Sequence, residues 1–324
     1  MKFKEFGVLC ALVLEVLAFG LICPQVPNRL TGRLESSYMT ADNLLSIAHN
    51  ISTVGIAAVG ATLVIISAGI DLSVGSLIGL TVVVTGYGLA KSYSIGTAAA
   101  AALCAGAIGG AVNGVMIAYL ELPPFIATLG MLSIARGLAF WITGGLTISG
   151  MLRLSPWADY FGNGHILGIP FPVFVMIGTA MIGWVLLTKT TLGRRITALG
   201  GNEESTRFSG IDIRNLKVVI YTLAGLTAAI AGVLYACRFG YAASTAGRGY
   251  ELEVIAAVVI GGTSLNGGRG TILGTLIGAA IMGCLRAGLV TYGAMDQYIE
   301  LAIGAVIILA VLIDVWQHKI KEKT

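Results

Sequence analysis

The sequence predicts an all-α membrane protein that crosses the bilayer about ten times, and three observations predict it. Across 324 residues 56% are hydrophobic and only 11% charged, with mean hydropathy +0.89. A soluble domain carries about 25% charged residues, so this chain lacks the surface that water would solvate. Apolar runs recur along the whole length, each near the roughly 20 residues that a bilayer requires of a helix. None alternates with period two, which excludes a barrel and leaves helices to satisfy the backbone in lipid. No polar domain interrupts them, so residues 1–324 form one transmembrane domain. Forty-five glycines fit this class, because small residues let membrane helices approach closely.

The predicted spans are 6–22, 45–67, 73–90, 95–119, 124–143, 171–188, 216–237, 251–264, 270–290 and 297–315. The first follows Lys2 and Lys4 and resembles a signal peptide. Gly20-Leu21-Ile22-Cys23 lacks the small residue wanted before a cleavage site, so the segment reads as an uncleaved span. Glu15 within it is expected to pack against another helix. Pro24 and Pro27 end this span, Pro123-Pro124 starts the fifth, and Pro170 with Pro172 opens the sixth. The eighth is the least regular, being short and glycine-rich. Between the first two spans, residues 24–42 carry Arg29, Arg33 and Glu35, as a variable solvated loop or as a contact for an outside partner.

Three helices carry small faces: Gly75-x-x-x-Gly79, Gly106-x-x-x-Gly110-x-x-x-Gly114 and Gly274-x-x-x-Gly278. Packing within one chain is the ordinary reading and a dimer contact the functional one. The stretch from Ala68 to Gly79 echoes Gly262 to Gly278, as either an internal repeat or convergence of glycine-rich helices.

Orientation follows from Lys and Arg in short loops. The 189–217 loop carries Lys189, Arg194, Arg195, Arg207, Arg214 and Lys217, and the tail carries Lys319, Lys321 and Lys323. The opposite loops keep Arg29, Arg33, Lys91, Arg153, Arg238 and Arg248. Both termini are therefore expected in the cytoplasm.

Several chemistries find no support. The net charge of +4 is dispersed, with no Lys/Arg stripe interleaved with aromatics, so nucleic acid is not expected as a partner. The odd set Cys10, Cys23, Cys104, Cys237 and Cys284 reads as buried free thiols, with no metal-ligand spacing. There is no G-x-x-x-x-G-K-[ST] phosphate loop, and Gly162-x-Gly164-x-x-x-Gly168 has the wrong spacing for a dinucleotide. His49, His165 and His318 are isolated and expected at solvated or interfacial positions. No cofactor and no enzymatic activity are expected of this chain. Charges in membrane spans are expensive and usually functional. Glu15 and Arg136 lie inside spans, while Asp71, Arg286 and Glu300 lie near edges. Their scarcity argues against ion coupling and for a neutral solute.

The most informative polar segment is Asn202-Glu203-Glu204-Ser205-Thr206-Arg207-Phe208-Ser209-Gly210-Ile211. Asn202 is a good N-cap, Glu203 and Glu204 complement the positive helix end, and Gly210 suits a left-handed stop. A helix of about two turns follows. It is marginal alone and must pack on its own protein, on lipid headgroups or on a partner.

Several segments resemble a known family. Gly69 to Ser76, Phe125 to Leu129, Ala198 to Glu203, Thr206 to Ile211, Ala246 to Leu252, and Ile255 to Leu265 with Gly267-Gly268 are similar to the ribose-type permeases of bacterial ABC importers. The likeness runs from Asn43 to Asp314 in the family's order, within a superfamily shared with branched-chain amino-acid permeases. It implies a ten-span inner-membrane subunit paired with a second copy or a paralogue. It also implies a separate cytoplasmic ATPase that binds the ATP, a periplasmic sugar-binding protein, and inward movement of a small neutral sugar by alternating access. On that resemblance Asn202 to Gly210 would be the helix that couples to the ATPase. Thr62, Ser67, Asn113, Thr128 and Ser133 are the expected hydrogen-bonding groups near the pathway. Inositol, a nucleoside, an autoinducer-like sugar or a branched-chain amino acid stays open as the solute, as does an ion-coupled secondary carrier as the mechanism.

Overall fold

The computed structural model describes residues 3–27, 34–151 and 155–321. Helices α1 (Phe3–Ile22), α2 (Ala41–Ile66), α3 (Val74–Ala90), α4 (Ile95–Ala118) and α5 (Pro124–Thr143) form the first half. A short helix α6 (Pro156–Asn163) then precedes α7 (Phe171–Lys189), α8 (Thr191–Gly201) and α9 (Glu203–Phe208). Helices α10 (Ile213–Phe239), α11 (Tyr250–Ile260), α12 (Ile272–Tyr292) and α13 (Asp296–Lys321) complete the chain. Strands occur only as two- and three-residue pairs among the described residues: β1 (Gln25–Pro27) with β2 (Leu34–Ser36), β3 (Ile148–Ser149) with β6 (Tyr241–Ala242), and β4 (His165–Ile166) with β5 (Ile169–Pro170). The protein is an all-α polytopic membrane protein, and each apolar run predicted from the sequence coincides with one helix.

Local chemistry explains the boundaries. Thr40, Ser94, Thr190, Asp212 and Thr271 cap helices by accepting from backbone N–H groups in the first turn. Proline opens α5 and α7, while Gly144, Gly240 and Gly293 end α5, α10 and α12 in the left-handed conformation.

Among the described residues six helices, α2, α4, α5, α7, α10 and α12, are each long and apolar enough to cross a membrane. The predicted eighth span needs correction. Instead of 251–264 the helix covers Tyr250–Ile260, 11 residues. At 1.5 Å per residue it is only about 16 Å long, roughly half the hydrocarbon core.

Helix α2 is the hub, buried along most of its length and packed against α7, α10, α11 and α12. The glycine faces all serve contacts within the chain. Gly106, Gly110 and Gly114 of α4 admit the backbone of α10 at Gly225, Tyr221 and Val218, and Gly274 and Gly278 admit α11 at Gly261 and Ala257. Helix α1 packs on α12 with Glu15 half-buried. Two expectations about polar side chains change. His49 is buried on α2 and not solvated, although Ala41, Asp42, Leu44 and Ser46 in the first turns of that helix are exposed. Cys10 and Cys104 lie on exposed helix faces, and only Cys23, Cys237 and Cys284 are buried.

Candidate functional site

Two places combine unusual backbone with polar side chains. The first is on the side of the bundle that carries the basic 189–217 loop. Helix α8 turns away from α7 at Thr190, whose hydroxyl accepts from the Gly193 N–H at 3.2 Å. It buries Gly193, Ile196, Leu199 and Gly200 and exposes Arg194 and Arg195. Gly200 sits on a junction where the Gly268 N–H donates to the Ile66 carbonyl at 2.8 Å. A Cβ there would strike the Ile66 carbonyl and come within 2.6 Å of the Gly268 nitrogen. The end of α8 therefore bears directly on the end of α2 and on the loop that enters α12. That loop and residues 68–73 belong to the two stretches, Ala68 to Gly79 and Gly262 to Gly278, that echo each other in sequence, and they meet where Gly267 lies against Ala68.

Helix α9 follows at once. The Asn202 side chain accepts from the Ser205 N–H at 2.7 Å, and the Thr206 hydroxyl donates to the Asn202 carbonyl at 2.7 Å. The Glu203 carboxylate accepts from Lys217 Nζ at 2.9 Å and pairs with Arg207 at 3.5 Å, anchoring α9 to α10. Gly210 stops the segment at φ 78°. Within Asn202–Gly210 only Thr206 is buried; Glu204, Ser205, Arg207, Ser209 and an 83%-exposed Phe208 face outward. A cavity of about 900 Å³ opens beside it, lined by Ser67, Glu121, Asn202, Arg207, Lys217 and Tyr221 among others.

The second place is the chain break between α10 and α11. Residues 240–249 do not cross outside the bundle; they run down the flank of α3. Ala242 lies against Gly86, the Ala246 carbonyl against Gly79, and Gly247 with Glu251 against Gly75. The small face of α3 thus accommodates irregular backbone, and α11 begins deep in the bundle. This explains why α11 is short. It also corrects the assignment of Arg248 to an outer loop, since its neighbour Gly247 packs on the first turn of α3.

Non-helical backbone at membrane depth must be satisfied by protein or water, and here most of the carbonyls find donors within the protein. Local turns take the carbonyls of Ala243, Thr245, Gly247 and Gly249. Arg136 Nη1, from the middle of α5, donates to the carbonyls of Ser244 at 3.0 Å and Ala246 at 2.7 Å. Gly247 and Gly249 adopt φ 68° and 84°, conformations that side chains resist. A cavity of about 370 Å³ lies between α5 and this segment, lined by Leu132, Arg136, Phe140, Ser244, Thr245, Arg248 and Glu251. Glu251 Oε2 is buried and accepts no hydrogen bond among the described residues.

The five expected pathway residues are not brought together. Thr62 shares a hydrogen bond with Thr275 at 2.7 Å, joining α2 to α12. Ser67 caps α2 and lines the larger cavity. Asn113 donates from Nδ2 to Ser73 Oγ at 2.8 Å, and Ser73 in turn donates to Asp71 Oδ1 at 2.6 Å. Thr128 bonds the Pro124 carbonyl within its own helix, and Ser133 lies on the exposed face of α5. Inside the bundle Arg286 pairs with Glu253, and Arg136 and Glu251 line the same cavity. The loop residues Arg29 and Arg33 lie outside the described residues, as does Arg153, and the side chains of Glu35, His318, Lys319 and Lys321 are likewise not described.

Along the sequence Arg136 is a charge within a span and Ala246–Leu252 a motif. Ser244, Thr245 and Glu251 become neighbours of Arg136 only in the fold. The usable signal is a glycine-rich stretch together with a mid-span arginine that has no acidic partner on its own helix.

Comparisons with known proteins agree along nearly the whole chain. The model of the family described as branched-chain amino acid transport system / permease component matches residues 43–312. The chain is 45% identical over 296 residues to the ribose import permease protein RbsC of Escherichia coli (strain K12), covering 91% of this chain and 92% of that protein. It is 42% identical over 281 residues to the RbsC protein of Bacillus subtilis (strain 168), covering 87% of each. It is 36% identical over 322 residues to the fructose import permease protein FrcC of Rhizobium meliloti, covering 96% of this chain and 85% of that one. Among solved structures it shares its fold with a metal-chelate-type ABC transporter in an inward-facing conformation, at TM-score 0.51 and 13% identity over 99% of both chains.

Proposed function

The chain belongs to the branched-chain amino acid transport system permease family, and from that premise we propose that it moves a small neutral sugar, ribose first, inward across the bacterial inner membrane. As an ABC importer permease it is a transport subunit, and such a subunit works with an ATPase and a substrate-binding protein. The finer reading is a ten-span subunit, one domain over 1–324, paired with a second copy or a paralogue, with both termini in the cytoplasm. ATP is hydrolysed on the separate ATPase, in keeping with the missing phosphate loop.

One observation carries the substrate: the chain-long similarity to relatives named for ribose and fructose import. Alternating access follows from ligand-driven shifts between states. Asn202 to Gly210 is the coupling element in this reading. It is exposed and rigidly capped, and it is continuous with α8, whose end bears on α2 and the entry to α12. Phe208 offers an apolar ring to a partner groove, a typical anchor of an interface.

Reconstitution with its ATPase and binding protein, followed by a panel of labelled sugars, inositol, nucleosides and amino acids, tests the proposal. ATP-dependent uptake of D-ribose or a related monosaccharide is expected. Uptake of an amino acid with no sugar, or ion-driven uptake by this chain alone, would overturn it.

A further inference from the structure

The cavity at the chain break has the composition of a solute site. We infer that Thr245, Ser244 and Glu251, with Arg248 at the rim, bind the hydroxyl groups of the sugar in transit, and that Arg136 is the positioning residue that holds this segment open. The inference rests on the sugar reading above and adds where the solute is recognised within this chain.

Four observations support it. The cavity, about 370 Å³, lies in the range of small-molecule sites. Its lining offers hydroxyl donors and acceptors from Ser244 and Thr245, a carboxylate from Glu251, and apolar walls from Leu132 and Phe140. Sugar hydroxyls both donate and accept while the ring C–H faces are apolar, so this mixture matches a polyol better than a hydrocarbon. Charge also bears on the ligand: Arg136 and Glu251 line the cavity with opposite signs, Arg136 Nη1 is already committed to two carbonyls, and Arg248 is exposed at the mouth. Finally, Glu251 Oε2 lies against Gly75 of α3 as a buried acceptor with no donor among the described residues, and buried acceptors of that kind call for a partner. Interrupted helices at membrane depth are where transporters place their solutes.

Arg136 acts differently. It lines the cavity too, but its Nη1 is committed to the Ser244 and Ala246 carbonyls, which ties the segment carrying Ser244 and Thr245 to α5.

The test uses the complete transporter in proteoliposomes with D-ribose as the probe. In Thr245→Cys, modification of that cysteine by a small hydrophilic maleimide, followed peptide by peptide, should slow at least fivefold with D-ribose and be unaffected by L-leucine. Thr245→Val and Glu251→Gln should each lower D-ribose uptake at least tenfold at saturating loaded binding protein, with membrane content and ATPase co-purification at wild-type levels. Arg136→Lys should retain more uptake than Arg136→Leu. If wild type imports D-ribose yet the maleimide rate ignores it and both variants transport normally, the site assignment is wrong while the sugar reading stands. Protection by L-leucine and not D-ribose would also overturn it. Failure of wild type to import any sugar would instead overturn the proposed function.

Discussion

Arg136 donates to the carbonyl oxygen of Ala246 at 2.7 Å, across 110 residues of sequence. The same nitrogen holds the Ser244 carbonyl at 3.0 Å. One side chain of α5 thereby does for the α10–α11 break what a helix would otherwise do for its own backbone.

Removing that side chain should be costly. Arg136→Leu leaves two carbonyls without their donor, at about 1–3 kcal/mol for each one left unpaired. Thermal unfolding in detergent should show a clear loss of stability, with Arg136→Lys intermediate because an ammonium supplies donors without the planar fork. Wild-type stability of Arg136→Leu would mean that water replaces the guanidinium at no cost.

Gly200 and Gly201 form an internal control. A Cβ at Gly200 strikes the Ile66 carbonyl, whereas one at Gly201 meets nothing within 4 Å. Gly200→Ala should cost about 1–3 kcal/mol, the usual scale of overpacking, and should reduce uptake. Gly201→Ala should change neither. Equal effects in thermal shift and uptake would show that the α8 junction is not the reason for glycine here.

The coupling helix allows a separation of fold from contact. Phe208 is 83% exposed, so Phe208→Ala should leave stability unchanged and weaken co-purification of the ATPase. Gly210→Val places a β-branched residue at φ 78°, which is strongly disfavoured, and should misdirect the helix end. Arg207→Glu should act through charge and therefore vary with salt. Normal ATPase recruitment and transport in all three would exclude this helix as the docking element.

Thr62 and Thr275 suit a double-mutant cycle. Thr62→Val strands the Thr275 hydroxyl of the 2.7 Å pair, costing about 1–3 kcal/mol, whereas Thr275→Val leaves Thr62 donating to the Ala58 carbonyl at 2.6 Å and should cost less. The double change removes both groups and should cost less than the sum. Additive losses by thermal unfolding would mean that the two threonines are not partners.

Orientation is open to labelling. In a cysteine-free background, Glu204→Cys should react with an impermeant maleimide only from the cytoplasmic side, and Tyr93→Cys, between α3 and α4, only from outside. The reversed pattern would invert the topology.

The sequence by itself determined the membrane class, every long apolar helix, and the capped helix from Asn202 to Gly210. Each of these is a local property: run length against bilayer thickness, a cap and its N–H three residues on, a glycine where φ turns positive. Only the tertiary structure decided where residues 240–249 go. Hydropathy measures apolarity and not depth, so Arg248 read as an outer-loop charge and 251–264 as a span. The backbone enters the bundle because Gly75 and Gly79 of α3 leave room for it and Arg136 of α5 satisfies it. Those three residues are remote in sequence from the segment they admit. Their effect depends on three elements meeting in space, which no window along the chain contains.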